Sequence, residues 1–228
     1  MVSVEQLHSS IFQDPEWRAW AKIVSSLTPE DDVKFGCDHG IQHWLNVSRI
    51  AADFARQAGG TDYEVALADI AGLLHDCGMI CGEKNHAENG ASIVRPYLRA
   101  RLGDAGYGML TDSDIEVVCH AIAKHSDYTE IVNLVDAALV FADKVDLGRH
   151  RTLSINNDIQ LSASQIERIN YAVTDDAVIV SYTVTPDFNA YFFLSSWPKA
   201  YEVPLKIAVW LKKDCQFFVN NQRIILPK

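Results

Sequence analysis

The sequence predicts a mostly α-helical protein with a small α+β extension at its C-terminus. In several stretches before residue 150, apolar residues recur every three or four positions, as on the buried face of an amphipathic helix. Over 177–185, apolar residues instead alternate with polar ones, as in a half-buried strand. We therefore expect a helical domain over 1–150 and an α+β extension over 151–228 that packs on it.

Length and composition are those of an ordinary globular protein. A chain of 228 residues, with 48% hydrophobic and 22% charged residues, can bury a core without disulfides. Its net charge of −10 argues against strong binding to nucleic acid or to an anionic membrane, since both require basic surface. The five cysteines show no CxxC spacing, and no signal peptide or membrane span is apparent, so we expect a cytoplasmic protein with reduced thiols.

Three helices are predicted in the first 58 residues. Two amphipathic segments, 4–12 and 16–27, are separated at Pro15, which suits a first helical turn. A longer helix is predicted over 38–58, where a pair of glycines ends it. His43 falls on the apolar stripe of this helix, so we expect its imidazole to point into the core.

The next helix leads to two adjacent polar residues, His75 and Asp76. Thr61 and Glu64 have the spacing of a capping box, which starts a helix. Gly78 is expected to close it in the left-handed conformation. The helix thus delivers an imidazole and a carboxylate at its C-terminal end, a pair suited to Zn²⁺, Fe²⁺ or Mn²⁺.

A further helix start is predicted just after this pair. Asn85 and Glu88 repeat the capping pattern and place His86 at the first helical position. Pro96 is expected to kink or shorten this helix.

The helix predicted over 114–125, capped by residues 112–114, carries two histidines. His125 extends its apolar stripe past Ile122, whereas His120 is rotated off the centre of that face. This geometry favours His125 as the inward-pointing group, and both histidines remain candidates.

The strongest apolar pattern predicts a helix over 129–142. Asp143 and Lys144 follow directly at its C-terminal end. A carboxylate there opposes the helix dipole, which favours cations at this end. Such a locally unfavourable aspartate indicates an outside partner such as a metal ion.

The sequence of the last third of the chain shows no group of candidate catalytic or metal-binding residues. We predict a partly helical stretch over 152–168, the strand at 177–185 and a helix over 202–213 that starts at Pro204. A terminal hairpin is predicted to turn at Asn220-Asn221. The terminal position of the hairpin leads to the hypothesis that its edge pairs across a homodimer.

The motifs of the first 150 residues together resemble the HD-domain superfamily of metal-dependent phosphohydrolases, whose signature is H…HD…D on a helical bundle. The matching text is His-Trp-Leu-Asn-Val-Ser-Arg-Ile-Ala at 43–51, Leu-Leu-His-Asp-Cys-Gly at 73–78 and Val-Phe-Ala-Asp-Lys-Val-Asp at 140–146. Asn-His-Ala-Glu-Asn-Gly-Ala at 85–91 and Ala-Ile-Ala-Lys-His-Ser at 121–126 resemble the two added histidine motifs of members that hold two metals. The resemblance therefore implies an HD helical bundle.

The resemblance also implies a metal centre. It makes the ligands of a first metal His43, His75, Asp76 and Asp143, with Asp76 as a bridge, and those of a second metal His86 with His125 or His120. One or two divalent transition metals are expected, and Fe, Mn, Zn, Co and Ni all suit such ligands.

Several residues near these motifs are candidates for direct roles in catalysis. His39 lies one helical turn before His43 and is a candidate for a further ligand or a proton donor. Lys144 is the first candidate for contact with a substrate phosphate, followed by Lys124 and Arg49. The candidate catalytic residues are Asp76, Lys144 and His39.

The activity implied is hydrolysis of a nucleotide or other small phosphate ester, as a phosphomonoesterase or phosphodiesterase, by a hydroxide that the metal generates from water. Ser126-Asp127-Tyr128 stands where cyclic-dinucleotide phosphodiesterases carry a Gly-Tyr-Pro motif, which argues against that class. Two alternatives stay open: an HD-fold diiron oxygenase with the same ligands, and a nucleotide-sensing HD domain without turnover.

Overall fold

The computed structural model describes residues 4–27, 37–108, 110–128, 130–152 and 155–225. The described residues form two compact units, the first with residues 4–27 and 39–143 and the second with 37–38 and 144–225. The fold class predicted from the sequence is confirmed, because helices form the first unit and a small sheet lies near the C-terminus. The predicted packing of the extension on the helical domain stays a prediction.

The first unit is built from helices. They are α1 (Val4–Gln13), α2 (Pro15–Val24), α3 (Ile41–Gln57), α4 (Asp62–Leu74), α5 (His86–Arg99), α6 (Asp112–Lys124) and α7 (Leu134–Val145), the last of which ends just past the unit's boundary. A 3₁₀ helix, Cys77–Cys81, follows α4. Every residue of α4 from Val65 to Leu74 is buried, as expected for a helix that is apolar on all sides and lies in the core.

The predicted helix starts were partly right. Thr61 and Glu64 form the predicted capping box of α4. At α6 the capping residue is Thr111, which forms a capping box with Asp114, so residues 112–114, predicted as the cap, are instead the first residues of the helix. α5 begins at His86 with Asn85 as its N-cap, as predicted, but Asn85 has a φ of 59° and its side chain makes no capping bond, so the predicted capping pattern is absent.

Gly78 is required for a reason other than the predicted one. It is not among the described glycines with positive φ, so it does not close α4 in the left-handed conformation. A Cβ atom on Gly78 would lie 2.0 Å from the carbonyl oxygen of His86 and 2.4 Å from the amide nitrogen of Gly90. The absence of a side chain therefore lets α5 begin directly against the end of the His-Asp segment.

The second unit contains α8 (Asp158–Ser164), β1 (Ile166–Val173), β2 (Ala177–Val184), α9 (Ala190–Ser196), α10 (Lys199–Trp210), β3 (Asp214–Val219) and β4 (Gln222–Ile224). The strands form one sheet in sequence order. The β1–β2 and β3–β4 pairs are antiparallel, whereas β2 and β3 are parallel, so α9 and α10 form the crossover between them.

Predictions for this unit succeeded where the local pattern was strong. The strand over 177–185 and the terminal hairpin are confirmed, the latter turning at Asn220 and Asn221, both with positive φ. The strand β1 and the helix α9 were not predicted. Pro204 lies inside α10 and does not start it. Pairing of the hairpin edge across a homodimer stays a prediction.

Among the described residues, no single helix has the length and apolarity needed to cross a membrane. One pair of helical segments, Asp62–Cys81 and His86–Arg99, passes that test only when taken together, and the two are bent by 114°.

A partly buried hydrogen-bond network ties three helices of the first unit together and makes stability depend on pH. The Nδ1 atom of His8 in α1 lies 2.8 Å from Oδ2 of Asp69 in α4, whose other oxygen accepts a bond from the Ser48 hydroxyl in α3. The bond to Asp69 raises the pKa of His8 above its usual value of 6.5, although burial acts in the opposite direction.

We expect the His8 contribution to stability to be complete below about pH 6.5 and to disappear as the pH rises through the higher folded-state pKa. Its size is about 0.5 kcal/mol, since a third of the His8 side chain is exposed to screening solvent. Urea unfolding of wild type and His8→Gln at pH 6 and pH 8.5 checks this. The stability difference between the two proteins should be larger at pH 6, and an equal difference at both values would contradict the prediction.

Candidate metal centre

The ends and inner faces of five helices, with a histidine two residues before α3, bring seven histidine and aspartate side chains together in the first unit. They are His39 before α3, His43 in α3, His75 and Asp76 at the end of α4, His86 at the start of α5, His125 at the end of α6 and Asp143 in the last turn of α7. Asp143 lies inside α7, not just after it as predicted, because this helix runs from Leu134 to Val145.

Four of these side chains form a first donor set that surrounds one point. The Nε2 atoms of His43 and His75 lie 3.1 Å apart. His43 Nε2 is 3.5 Å from Asp76 Oδ2 and 3.3 Å from Asp143 Oδ1, and the corresponding distances from His75 Nε2 are 3.3 and 3.9 Å. All four side chains are buried.

These distances fit a metal ion. Neighbouring donors that bind one ion tetrahedrally with bonds of about 2.1 Å, the usual length from a transition metal to imidazole nitrogen or carboxylate oxygen, are about 3.4 Å apart. Two imidazoles and two carboxylates are also a suitable donor set for Zn, Fe or Mn. The first donor set therefore has both the chemistry and the spacing to hold one ion.

The other oxygen of Asp76 faces a second group of histidines. Asp76 Oδ1 lies 3.5 Å from His86 Nε2 and 3.4 Å from His125 Nε2, and these two nitrogens are 3.2 Å apart. Asp76 Oδ2 instead faces His43 and His75. The two oxygens of one carboxylate thus belong to two different donor sets.

Backbone carbonyl groups determine which nitrogen of three histidines faces the centre. The Nδ1 atoms of His75, His86 and His125 lie 2.9, 2.8 and 2.7 Å from the carbonyl oxygens of Gly72, Glu83 and Ile122, respectively. A carbonyl oxygen only accepts, so each Nδ1 carries the proton and each Nε2 presents a lone pair to the centre. The lone pairs of His86 and His125 therefore face each other, an arrangement that a cation between them stabilises.

The comparison with protein families agrees with this geometry. Residues 40–148 match the family model of the HD domain. This part of the chain is an HD domain. A search of curated proteins found no match to the chain. The HD superfamily includes metal-dependent phosphohydrolases and some members that do not catalyse a reaction, so the match supports a metal-binding role for the buried cluster.

The electrostatics of the HD centre favour an ionised Asp76. Burial alone raises the pKa of a carboxyl group, but the imidazoles of His75, His125 and His39 around it hold the pKa of Asp76 well below its usual range. Burial lowers the pKa of His125. For His75 the effect of burial is outweighed by the Asp76 and Asp143 carboxylates, which raise its pKa. An ionised carboxylate is the form that binds a metal.

The neighbouring Cys77 is a buried thiol that belongs to none of the donor groups found among the described residues. Burial, followed by the Asp76 carboxylate, raises the pKa of this thiol. Its Sγ atom lies 3.8 Å from the carbonyl oxygen of Gly90, away from the donor atoms described above. Its burial and this contact make Cys77 a small side chain packed in the core.

His120 is not part of the cluster. Its Nδ1 atom lies 3.0 Å from Oδ1 of Asp136, and the other oxygen of Asp136 accepts hydrogen bonds from the backbone of Val132 and Asn133. The candidate assignment of His120 as a metal ligand is therefore corrected in favour of His125. The sequence signal that separates them is the position of His120 off the centre of the apolar stripe.

The three candidate cations are placed differently. Arg49 is exposed on α3, and because it follows His43 by six residues it points about 120° away from it around the helix axis. The Nζ atom of Lys124 lies 3.1 Å from the Glu130 carboxylate. The structure thus brings neither side chain into the cluster. Lys144 is half-buried and follows Asp143 in α7, and its contact with substrate stays a prediction.

His39 contacts the centre through Asp76. Its Nδ1 atom lies 3.0 Å from Asp76 Oδ2. Because Asp76 is ionised, it accepts the hydrogen bond and His39 donates it. Through Nδ1, His39 therefore holds the shared carboxylate in place, and with His43 and Asp76 it also belongs to a group of donors that could hold a metal ion. The sequence spacing predicted that His39 is close to the centre, but not this partner.

Proposed function

We propose that this HD domain hydrolyses phosphate esters of a nucleotide or another small molecule. The observation that carries this proposal is the division of Asp76 between two donor sets. A shared carboxylate is typical of paired metal ions about 3.5–4 Å apart, which act on phosphoryl groups in many hydrolases. Such ions, when bound, lower the pKa of a coordinated water and neutralise charge on phosphoryl oxygens.

The protein's own residues prepare the site for this reaction. The carbonyl groups behind His75, His86 and His125 hold the imidazoles in the orientation that ligates, so little reorganisation is needed when a substrate binds. His39 does the same for the Asp76 carboxylate. The proposed function therefore rests on a centre whose donors are already oriented.

Differences in exposure indicate the side from which a substrate approaches. His39 and His86 have side-chain exposures of 26% and 18%, whereas those of the other five members of the cluster are between 0 and 8%. The open side therefore lies at His39 and His86. We propose that the phosphate enters there and that Lys144 supplies a positive charge to it.

The proposed activity is tested on protein that has been stripped of metal and reloaded with Mn²⁺, Fe²⁺, Co²⁺, Ni²⁺ or Zn²⁺ in turn. Substrates are nucleoside mono-, di- and triphosphates, cyclic nucleotides and nitrophenyl phosphate mono- and diesters. We expect metal-dependent turnover that falls at least about 100-fold in His125→Gln, because a donor facing the shared carboxylate is lost. His120→Gln is the matched control on the same helix and should retain the activity.

Three outcomes would contradict the proposal. If the metal-loaded protein binds a nucleotide but forms no product, the domain is a sensor. If it consumes dioxygen with a reduced diiron centre, it is an oxygenase. If it takes up no metal even after reconstitution, the catalytic interpretation fails altogether.

A further inference from the structure

A serine hydroxyl that has no role in the function proposed above lies against the second donor set. The Oγ atom of Ser126 is 3.0 Å from His86 Nε2 and 3.3 Å from His125 Nε2. Both nitrogens present lone pairs, because their Nδ1 atoms donate to backbone carbonyls. The hydroxyl therefore meets the same two atoms that face Asp76 Oδ1.

Ser126 supplies a fourth donor atom to the second set. The four atoms are Ser126 Oγ, His86 Nε2, His125 Nε2 and Asp76 Oδ1, and the five distances among them that involve a histidine nitrogen are 3.0, 3.2, 3.3, 3.4 and 3.5 Å. Neighbouring donors that bind one transition metal tetrahedrally with bonds of about 2.0 Å are about 3.3 Å apart, so these distances suit ligands of one ion. Without Ser126, the second set would have only three protein donors.

We propose that the Ser126 hydroxyl is a ligand of the second metal ion, alongside His86, His125 and Asp76. This inference rests on the proposed two-metal function. Because Ser126 directly follows His125 at the end of α6, one backbone segment positions both donors.

The composition of the two donor sets makes the second the weaker one. The first set contains two carboxylate oxygens, whereas the second has one carboxylate oxygen and a neutral hydroxyl. A smaller negative charge attracts a divalent cation less strongly. The hydroxyl oxygen is also a hard donor, which suits Mn²⁺ better than softer ions. The second ion is therefore expected to bind more weakly and to exchange more readily.

Titration of metal-free protein with Mn²⁺ against a chelator of known affinity tests this assignment. We expect wild type to bind two ions in separate steps, and Ser126→Ala to bind the second ion about tenfold more weakly or worse while the first step is unchanged. Ser126→Thr, which keeps the hydroxyl, should bind close to wild type. Ser92→Ala is the matched control, because it removes an exposed hydroxyl that donates to the Glu88 carbonyl of the same helix, 2.9 Å away.

Cobalt supplies a second readout that does not depend on affinity. In Ser126→Cys loaded with Co²⁺, a thiolate in the proposed position should produce a thiolate-to-cobalt charge-transfer band in the near ultraviolet. Ser92→Cys should show the wild-type spectrum, since its thiol lies outside the cluster.

The outcomes separate this inference from the function on which it rests. The assignment of Ser126 is supported if wild type binds two ions, Ser126→Ala binds the second ion more weakly and Ser126→Cys shows the new absorption band. Two ions with equal affinities in wild type and Ser126→Ala overturn the role of Ser126 and leave the two-metal function standing. Only one ion in wild type overturns the second site, and no ion overturns the proposed function as well.

Discussion

Asp76→Ala is expected to remove both metal ions from the protein. Each oxygen of this carboxylate faces one donor set, so a single substitution takes a donor from both. Loss of a partner outside the coordination sphere typically weakens metal binding by about 10- to 100-fold, and loss of a shared ligand should exceed this at each site. The proposed hydrolysis should therefore fall by about 1000-fold or more.

Elemental analysis of protein purified under identical conditions measures this effect. We expect about two ions per chain in wild type, about one in His86→Ala and close to none in Asp76→Ala. Asp69→Asn is the control, because Asp69 is a buried carboxylate of the same helix that holds His8 and Ser48 and takes no part in the cluster. Full metal content in Asp76→Ala would show that this carboxylate is not the shared ligand.

Gly72→Ala is expected to destabilise the protein by about 3 kcal/mol, because the added methyl group overpacks a contact between two helices. A Cβ atom there would lie 2.4 Å from Cα and 2.6 Å from the amide nitrogen of Ser48. Both are backbone atoms of α3, so no side chain can move aside and the two helices must separate. The helix preference of alanine over glycine, about 1 kcal/mol, is too small to compensate.

The same substitution should also weaken metal binding. The Gly72 carbonyl oxygen holds the His75 ring, and α3 carries His43, so separation of α3 from α4 moves two donors of the first set apart. Gly90→Ala is the matched control within α5, since its nearest contacts would be 3.1 Å from the His75 carbonyl oxygen and 3.2 Å from Ile122 Cγ2. Its stability should stay within about 1 kcal/mol of wild type. Equal urea midpoints for wild type and Gly72→Ala would contradict the prediction.

The apolar periodicity of the sequence was sufficient to locate most helices. The stripe on which His43 lies became α3, and the capping box at Thr61 became the start of α4. Such signals are local, because both side-chain period and capping depend on residues within a turn or two of each other. The strand β1 was missed, because buried and exposed residues do not alternate along it and its structure depends on pairing with β2.

Local signals also misled where two chain segments meet. Gly78 was interpreted as a helix-closing residue, yet the structure requires it because α5 approaches within van der Waals distance. The two roles favour the same amino acid, so the sequence does not distinguish them. His120 and His125 were both kept as candidates until the structure paired His120 with Asp136.

The sequence by itself determined the helical class, the order of the motifs and the types of donor atom, because these follow from residue identity and short-range spacing. Only the tertiary structure decided how those donors divide between two sets. The two oxygens of Asp76 point to different histidines, and Ser126 completes the second set because α4, α5 and α6 converge there. Distances between segments far apart in the chain depend on helix packing, and a metal site is defined by such distances.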